Sequence, residues 1–289
     1  MTAQPIKITL LTLAALIAFA ANSVLCRLAL NVYQMDAASF TSIRLFSGAF
    51  MLIFMLLWRA KLRAQTQHIS TQTHDWLGAI MLFIYATCFS YAYINLDAAT
   101  GALILFVAVQ ITMISLATFT GYRLHMQEWL GLILALAGFV YLILPNVGTP
   151  SLSGFILMLI SGIAWGFYSH LGRCSKHPTQ DTTNNFIKTI PMIAALMLFT
   201  LSQAQFNAAG ITIAILSGAI ASALGYILWY AALAHLSATQ ASVVQLGVPI
   251  IAALGGVLFL SESISMRLSI ASLMMLAGIA LVILNKSIS

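Results

Sequence analysis

The sequence predicts an all-α polytopic membrane protein, with ten transmembrane helices arranged as two inverted five-helix repeats. Three observations carry that prediction. Of 289 residues, 61 % are hydrophobic and only 6 % charged, and the mean hydropathy is +1.00. A soluble chain of this size needs far more charge to cover its surface. The apolar residues come in runs of about 18 to 25, the length a helix needs to cross a bilayer. They lack the dyad alternation of a membrane barrel. Finally, the stretch Leu236 to Leu284 overlays Leu96 to Leu144 without a gap, at an offset of 140 that is close to half the chain.

Taken in order, the expected spans are 8–30, 37–58, 76–95, 98–120 and 128–145, then 153–172, 184–203, 209–233, 238–260 and 266–284. Each break falls on polar or turn residues, such as Asp36, Asp97, Pro145 to Ser153 and Ser261 to Ser265. The two repeats are expected over 1–145 and 153–289. In the overlay Ala98 meets Ala238, Phe119 meets Phe259, and Leu136-Ala137-Gly138 meets Leu276-Ala277-Gly278. A looser match lays Phe19 to Arg27 on Trp165 to Arg173, and Asp36 to Arg44 on Asp181 to Lys188.

The net charge of +6 comes from basic residues scattered among short loops, a topology signal rather than a nucleic-acid footprint. A cytoplasmic N-terminus places Lys7, Arg59, Lys61, Arg63, Arg123, Arg173, Lys176 and Lys286 inside, against Arg267 outside. Ten spans then return the C-terminus to the cytoplasm. Five spans per half is an odd number, so the second half runs inverted, the plan of many secondary carriers. The first apolar run has no small-x-small cleavage site and reads as a retained span. Cys26, Cys88 and Cys174 lie far apart without metal-type spacing and read as small hydrophobes. No catalytic residue, cofactor or metal is expected. An enzyme would call for clustered Asp, His or Cys at a membrane face, and the six acidic residues stand singly.

These residues resemble the EamA-type family of the drug/metabolite transporter superfamily. The resemblance rests on Ala232-Leu233-Ala234-His235-Leu236-Ser237-Ala238, and on Pro249 ahead of Phe259-Leu260-Ser261-Glu262. It rests also on Leu276-Ala277-Gly278 and on Ile43-Arg44-Leu45-Phe46. It implies an inner-membrane carrier of small metabolites, amino acids among them. Spans 1–4 and 6–9 would surround the substrate, with 5 and 10 packing the halves together. The chain departs from the family pattern at Val109 and Tyr122, which stand where the repeat puts Pro249 and Glu262. Phe19-Ala20 replaces the first span's Trp-Gly, which survives in the sixth as Trp165-Gly166.

Charges inside spans mark the candidate site, because each costs at least about 2.5 kcal/mol at mid-helix unless paired or hydrated. Arg44 lies seven residues into span 2, with Asp36 or helix-end carbonyls as the structural alternative partners. Lys188 and Arg27 lie nearer helix ends, where snorkelling competes with function. No acidic residue sits deep in a span, which favours an anionic substrate over a lipophilic cation. Tyr85, Trp165, Tyr168 and Trp229 are candidates to line a cavity, with helix packing as the alternative, whereas Tyr93, near a helix end, is expected in an interfacial belt. The amides Asn22 and Gln245 need several partners if buried. Pro249 is expected to kink span 9 at mid-length and to serve as a hinge. His170 is a weaker candidate proton carrier.

The expected function is export of amino acids or related carboxylate-bearing metabolites by alternating access. Efflux of hydrophobic or cationic drugs is the alternative, and a non-transporting receptor or assembly protein a more distant one. The expected partners are the small-molecule substrate and the lipid bilayer, not nucleic acid. A monomer and a homodimer are both compatible with the sequence.

Overall fold

The structure, a computed structural model, describes residues 3–63, 76–119, 125–144, 150–173, 175, 177–236 and 244–285. Its described residues form helices and loops, with no strand among them. In chain order the rods are α1 (Ala3–Arg27, extended by a π turn over Leu28–Val32), α2 (Ala37–Arg63), α3 (Leu77–Ala92), α4 (Ala98–Phe119) and α5 (Met126–Ile143). The second half supplies α6 (Leu152–Arg173), α7 (Pro178–Thr200), α8 (Ala208–Leu233), α9 (Gly247–Leu260) and α10 (Met266–Asn285). Six of these, α1, α2, α4, α6, α7 and α8, are long and apolar enough to cross a membrane; the other four are shorter apolar helices.

The boundaries follow from local chemistry. Asp36 starts α2 by accepting the Ser39 amide on Oδ1 at 2.8 Å, while Asn207 starts α8 by accepting the Gly210 amide. His125 and Glu128 form a reciprocal capping box on α5. The helix α7 begins at Pro178, six residues before the expected 184. Proline at the first helical position is pre-organised for the helix, and it carries the polar segment Thr179 to Asn185 into the rod. The expected start of span 9 at 238 lies outside the described residues.

The principal helix pairings map onto themselves when each helix is exchanged for the one five positions away. Thus α3 packs on α6 as α8 packs on α1, α4 packs on α6 as α9 packs on α1, and α2 packs on α8 as α7 packs on α3. The pairs α2–α7, α4–α9 and α5–α10 are their own images. That pattern is what a pseudo-twofold axis between the halves requires. The most buried of the long rods is α4, and α7 is the least.

Small residues set the closest approaches, as expected where helices pack in an apolar solvent. A Cβ on Gly278 would lie 2.5 Å from the Gly131 carbonyl oxygen and 2.7 Å from the Ala135 nitrogen; one on Gly138 would meet Met275 Cγ at 2.7 Å. The duplicated Leu-Ala-Gly triplets thus close α5 against α10. On α6, Gly162 and Gly166 let α4 approach; a Cβ on Gly162 would be 2.7 Å from the Leu105 carbonyl. Arg267, at the start of α10, donates to the Tyr141 carbonyl from Nη2 at 2.7 Å and also to that of Leu144. The lone cation of its loop therefore satisfies the open C-terminal end of α5.

Apolar side chains also cover the outside. Phe46, Phe50, Phe54 and Trp58 run along one face of α2, each more than half exposed. A stripe like that is compatible with lipid, not water. A mainly apolar groove of about 670 Å³ lies between α4, α5 and α6, lined by Phe119, Phe139, Phe155 and their neighbours.

Replacing Gly278 with alanine forces backbone atoms apart and is expected to cost about 1–3 kcal/mol. Gly247→Ala is the control, because its Cβ would meet only Leu16 Cδ1, at 3.8 Å. Thermal unfolding of the two purified variants in detergent should show a lower melting temperature for the first alone.

Candidate functional site

Asp36 fixes the start of α2, and that start sets where Arg44 falls, two turns further in. The guanidinium is 1 % exposed. Its Nε donates to Ser222 Oγ at 3.1 Å and its Nη2 to the Tyr85 hydroxyl at 3.0 Å. Its Cζ lies 5.3 Å from the centre of the Tyr85 ring and 4.9 Å from that of Phe89. The third nitrogen, Nη1, has no hydrogen-bond partner. Asp36 is not a counter-ion: its second oxygen accepts the Gln205 amide at 2.8 Å. Among the described residues, no carboxylate pairs with Arg44.

Asn22 completes the polar strand. Its Oδ1 accepts from Ser217 at 2.8 Å and from Ser222 at 3.3 Å. Those serines are five residues apart, which in an α-helix places them about 140° apart around the axis. They meet on one face because α8 winds as a π-helix over Leu216–Leu224, where residues i and i+5 stack. Gly218 makes the approach feasible: a Cβ there would lie 2.1 Å from the Arg44 carbonyl oxygen. The buried chain Arg44–Ser222–Asn22–Ser217 joins α1 and α2 of the first half to α8 of the second.

Aromatic rings enclose this chain. Trp165 lies 4.7 Å from Tyr85, 4.9 Å from Tyr226 and 5.3 Å from Tyr168, between ring centres. Phe19 meets the edges of Trp229 at 5.8 Å and Tyr226 at 6.0 Å. The Tyr226 hydroxyl is buried without a hydrogen-bond partner. Ser161 holds α6 to α3 by donating to the Tyr85 carbonyl at 3.0 Å.

Of the residues singled out in the sequence, Asn22, Arg44, Tyr85, Trp165, Tyr168 and Trp229 come together here. Gln245 is buried in the short helical stretch just ahead of the break at Leu246. Lys188 stands apart, 5.9 Å over the Trp76 ring, and lines a polar cleft of about 140 Å³ with Gly78, Asp181, Asn184 and Asn185. Pro249 sits in the first turn of α9, just after Leu246 interrupts the helical winding; residues 238–243, the start of the expected span 9, lie outside the described residues. Its missing N–H falls where a helix has unsatisfied donors anyway. Sequence spacing missed Ser217, Ser222 and Phe19. A π segment leaves no plain sequence signal, and Phe19 stands out only as the residue in place of the first span's Trp.

Tyr93 is not in an interfacial belt. It is fully buried, and a Cβ on Gly101 would touch its ring at 2.3 Å. Its carbonyl accepts Arg27 Nη1 at 2.9 Å. Arg27 does not snorkel either: Nε pairs with Glu262 Oε1 at 2.9 Å, and Nη2 reaches Asp97 at 3.5 Å. The other Glu262 oxygen accepts the Ala98 amide at 2.8 Å.

A helical bundle with apolar flanks, a pseudo-twofold exchange of its halves and a polar strand buried between them is the architecture of a membrane transporter. The profile of the EamA-like transporter family matches residues 6–144 and again 152–284, and the chain belongs to that family. An uncharacterized protein of Pseudomonas aeruginosa is 47 % identical, over 95 % of this chain and 93 % of its own length. The uncharacterized transporter YoaV of Bacillus subtilis is 22 % identical, over 86 % of this chain and 88 % of its own. A solved crystal structure superposes with a TM-score of 0.61 over 94 % of this chain and 96 % of that one; at 18 % identity the likeness shows the fold alone.

Truncating Asn22 to alanine leaves the Ser217 and Ser222 hydroxyls buried without their acceptor, at a cost of about 1–3 kcal/mol. A double-mutant cycle of Asn22→Ala with Ser217→Ala, read by thermal unfolding, should show that the two losses are not additive.

Proposed function

We propose that this protein is an inner-membrane secondary carrier that exports amino acids or related small carboxylate-bearing metabolites by alternating access. The observation that carries the proposal is Arg44, a cation buried among aromatic rings, lacking a carboxylate partner among the described residues and with Nη1 free. A guanidinium in that setting is short of negative charge, and its planar fork suits a carboxylate. The rings of Trp165, Tyr226 and Trp229 would take the apolar part of the substrate, and the Asn22–Ser217 pair its remaining polar groups.

The rest of the notional path follows from the same assignment. All ten helices span the membrane, both termini face the cytoplasm, and Lys188 lines the cytoplasmic approach. Pro249, next to the break at Leu246, is a hinge of α9. Drug-cation efflux is disfavoured, because a cationic substrate would sit against Arg44. The buried acids among the described residues are at helix ends, Glu128 capping α5 and Glu262 paired with Arg27.

The protein reconstituted in vesicles should move members of a labelled amino-acid panel. Arg44→Ala should reduce that transport to background, and Arg44→Lys should leave a rate at least about tenfold lower, since the ammonium keeps the charge and loses the fork. Ser222→Asp is the sharper variant. It supplies Arg44 with a permanent counter-ion, so transport should be lost in a variant that still folds, as checked by its thermal unfolding. Movement of ethidium or methyl viologen in place of the amino acids would overturn the substrate class.

A further inference from the structure

The Arg27 cluster lies outside the aromatic site and ties three separate segments together. Arg27 ends the regular winding of α1, Tyr93 and Asp97 lie between α3 and α4, and Glu262 follows α9. Arg27 and Glu262 have side chains only 11 % and 10 % exposed, so their 2.9 Å contact is a shielded ion pair rather than a surface one. Glu262 is held from its other side by the Ala98 amide. It reaches that place because Ser261 takes a left-handed backbone at φ 54° and reverses the chain, and because Gly256 leaves room. A Cβ on Gly256 would lie 2.6 Å from Glu262 Oε2.

The repeat makes this cluster informative. The looser overlay lays Arg27 on Arg173, so the cation is duplicated. Its partners are not. At the offset of 140, Glu262 corresponds to Tyr122, Asp97 to Ser237, and the space-giving Gly256 to Leu116. Both carboxylates and the glycine that accommodates one of them are absent from the matching positions of the other half.

We infer that the Arg27–Glu262 pair, braced by Asp97 and the Ala98 amide, is an ionic lock on the outer end of the pathway, with no ionic counterpart at the matching positions of the inner end. The consequence is a biased resting state. Without substrate the carrier is closed to the outside, and it opens outward by breaking a shielded ion pair that the repeat does not supply at the inner end. A carrier biased in that way loads from the cytoplasm, which is the order an exporter needs. This inference rests on the alternating access and the orientation proposed above; it does not depend on which substrate is carried.

Cys26 is a built-in reporter. It is fully buried on α1, one residue before Arg27. With Cys88 and Cys174 replaced by serine, a membrane-impermeant maleimide applied to the outer face of sealed vesicles should leave Cys26 unlabelled. Glu262→Gln keeps the shape and removes the charge, and should speed labelling at least tenfold. Arg27→Lys should be intermediate, because it keeps the charge and loses the second bond to Tyr93. Asp97→Asn, the exposed and more distant partner, should change the rate less than twofold. In the same Cys88- and Cys174-free background, Asn185→Cys, in the polar cleft, should label from the cytoplasmic face without substrate. Equal labelling of Cys26 in the folded Glu262→Gln variant and in its folded parent would overturn the lock, as would failure of Asn185→Cys to label from inside. Because no substrate is used, these results are independent of the transport assay.

Discussion

An arginine that the fold solvates without neutralising is the constraint on which the rest of this bundle depends. Arg44 is enclosed by hydroxyls and ring faces, each of which stabilises a cation without cancelling its charge. Hydrogen bonds to a charged group contribute about 1.5–3 kcal/mol each, and a desolvated ring face about 2 kcal/mol. That is enough to hold the guanidinium in place and not enough to make it indifferent to an anion. The surrounding architecture follows from supplying those groups from both halves at once: Tyr85 from α3, Ser222 from α8, and Asn22 from α1 to orient Ser222.

The π winding of α8 belongs to the same solution. An α-helix through Leu216–Leu224 would turn either Ser217 or Ser222 away from Asn22, leaving the Arg44 chain incomplete. It would also shift Gly218, which permits the backbone of α8 to meet that of α2 at the Arg44 carbonyl. Local winding, a glycine and two serines therefore act together at a single crossing. Each is ordinary in the sequence when read alone.

That explains which parts of the molecule were legible beforehand. The helices and the duplication follow from apolar run length and from triplets repeated at an offset of 140, signals that add along the chain, while the α5–α10 clasp is what the family resemblance implies. Arg44 and Trp165 stand out because a charge or a large amphipathic ring within an apolar run is costly anywhere. Lys188 stands out for the same reason, yet burial cost says nothing about which end of the bundle a charge occupies, and the fold puts it in a different cleft. The Arg27–Glu262 pair is 235 residues long in sequence separation. It could not be read from spacing, and neither could the left-handed turn at Ser261 that completes it.

A duplicated carrier needs its halves alike enough to exchange roles and unlike enough to give the cycle a preferred state. Here the likeness is in the helix pairings, which survive exchange of every helix with the one five positions away. The differences collect along the buried polar strand and at the helix ends: π winding in α8 where α3 is regular, Arg44 where the second half has Lys188, and Glu262 where the first half has Tyr122. Packing positions face identical demands in both halves, so Gly138 and Gly278 stay the same. On the alternating-access reading proposed above, positions that meet the substrate or close an end face different demands on the two sides of a membrane, and there a strict copy would leave the two closed states equal in energy. On the same reading, divergence at those positions is what gives a symmetric bundle a direction.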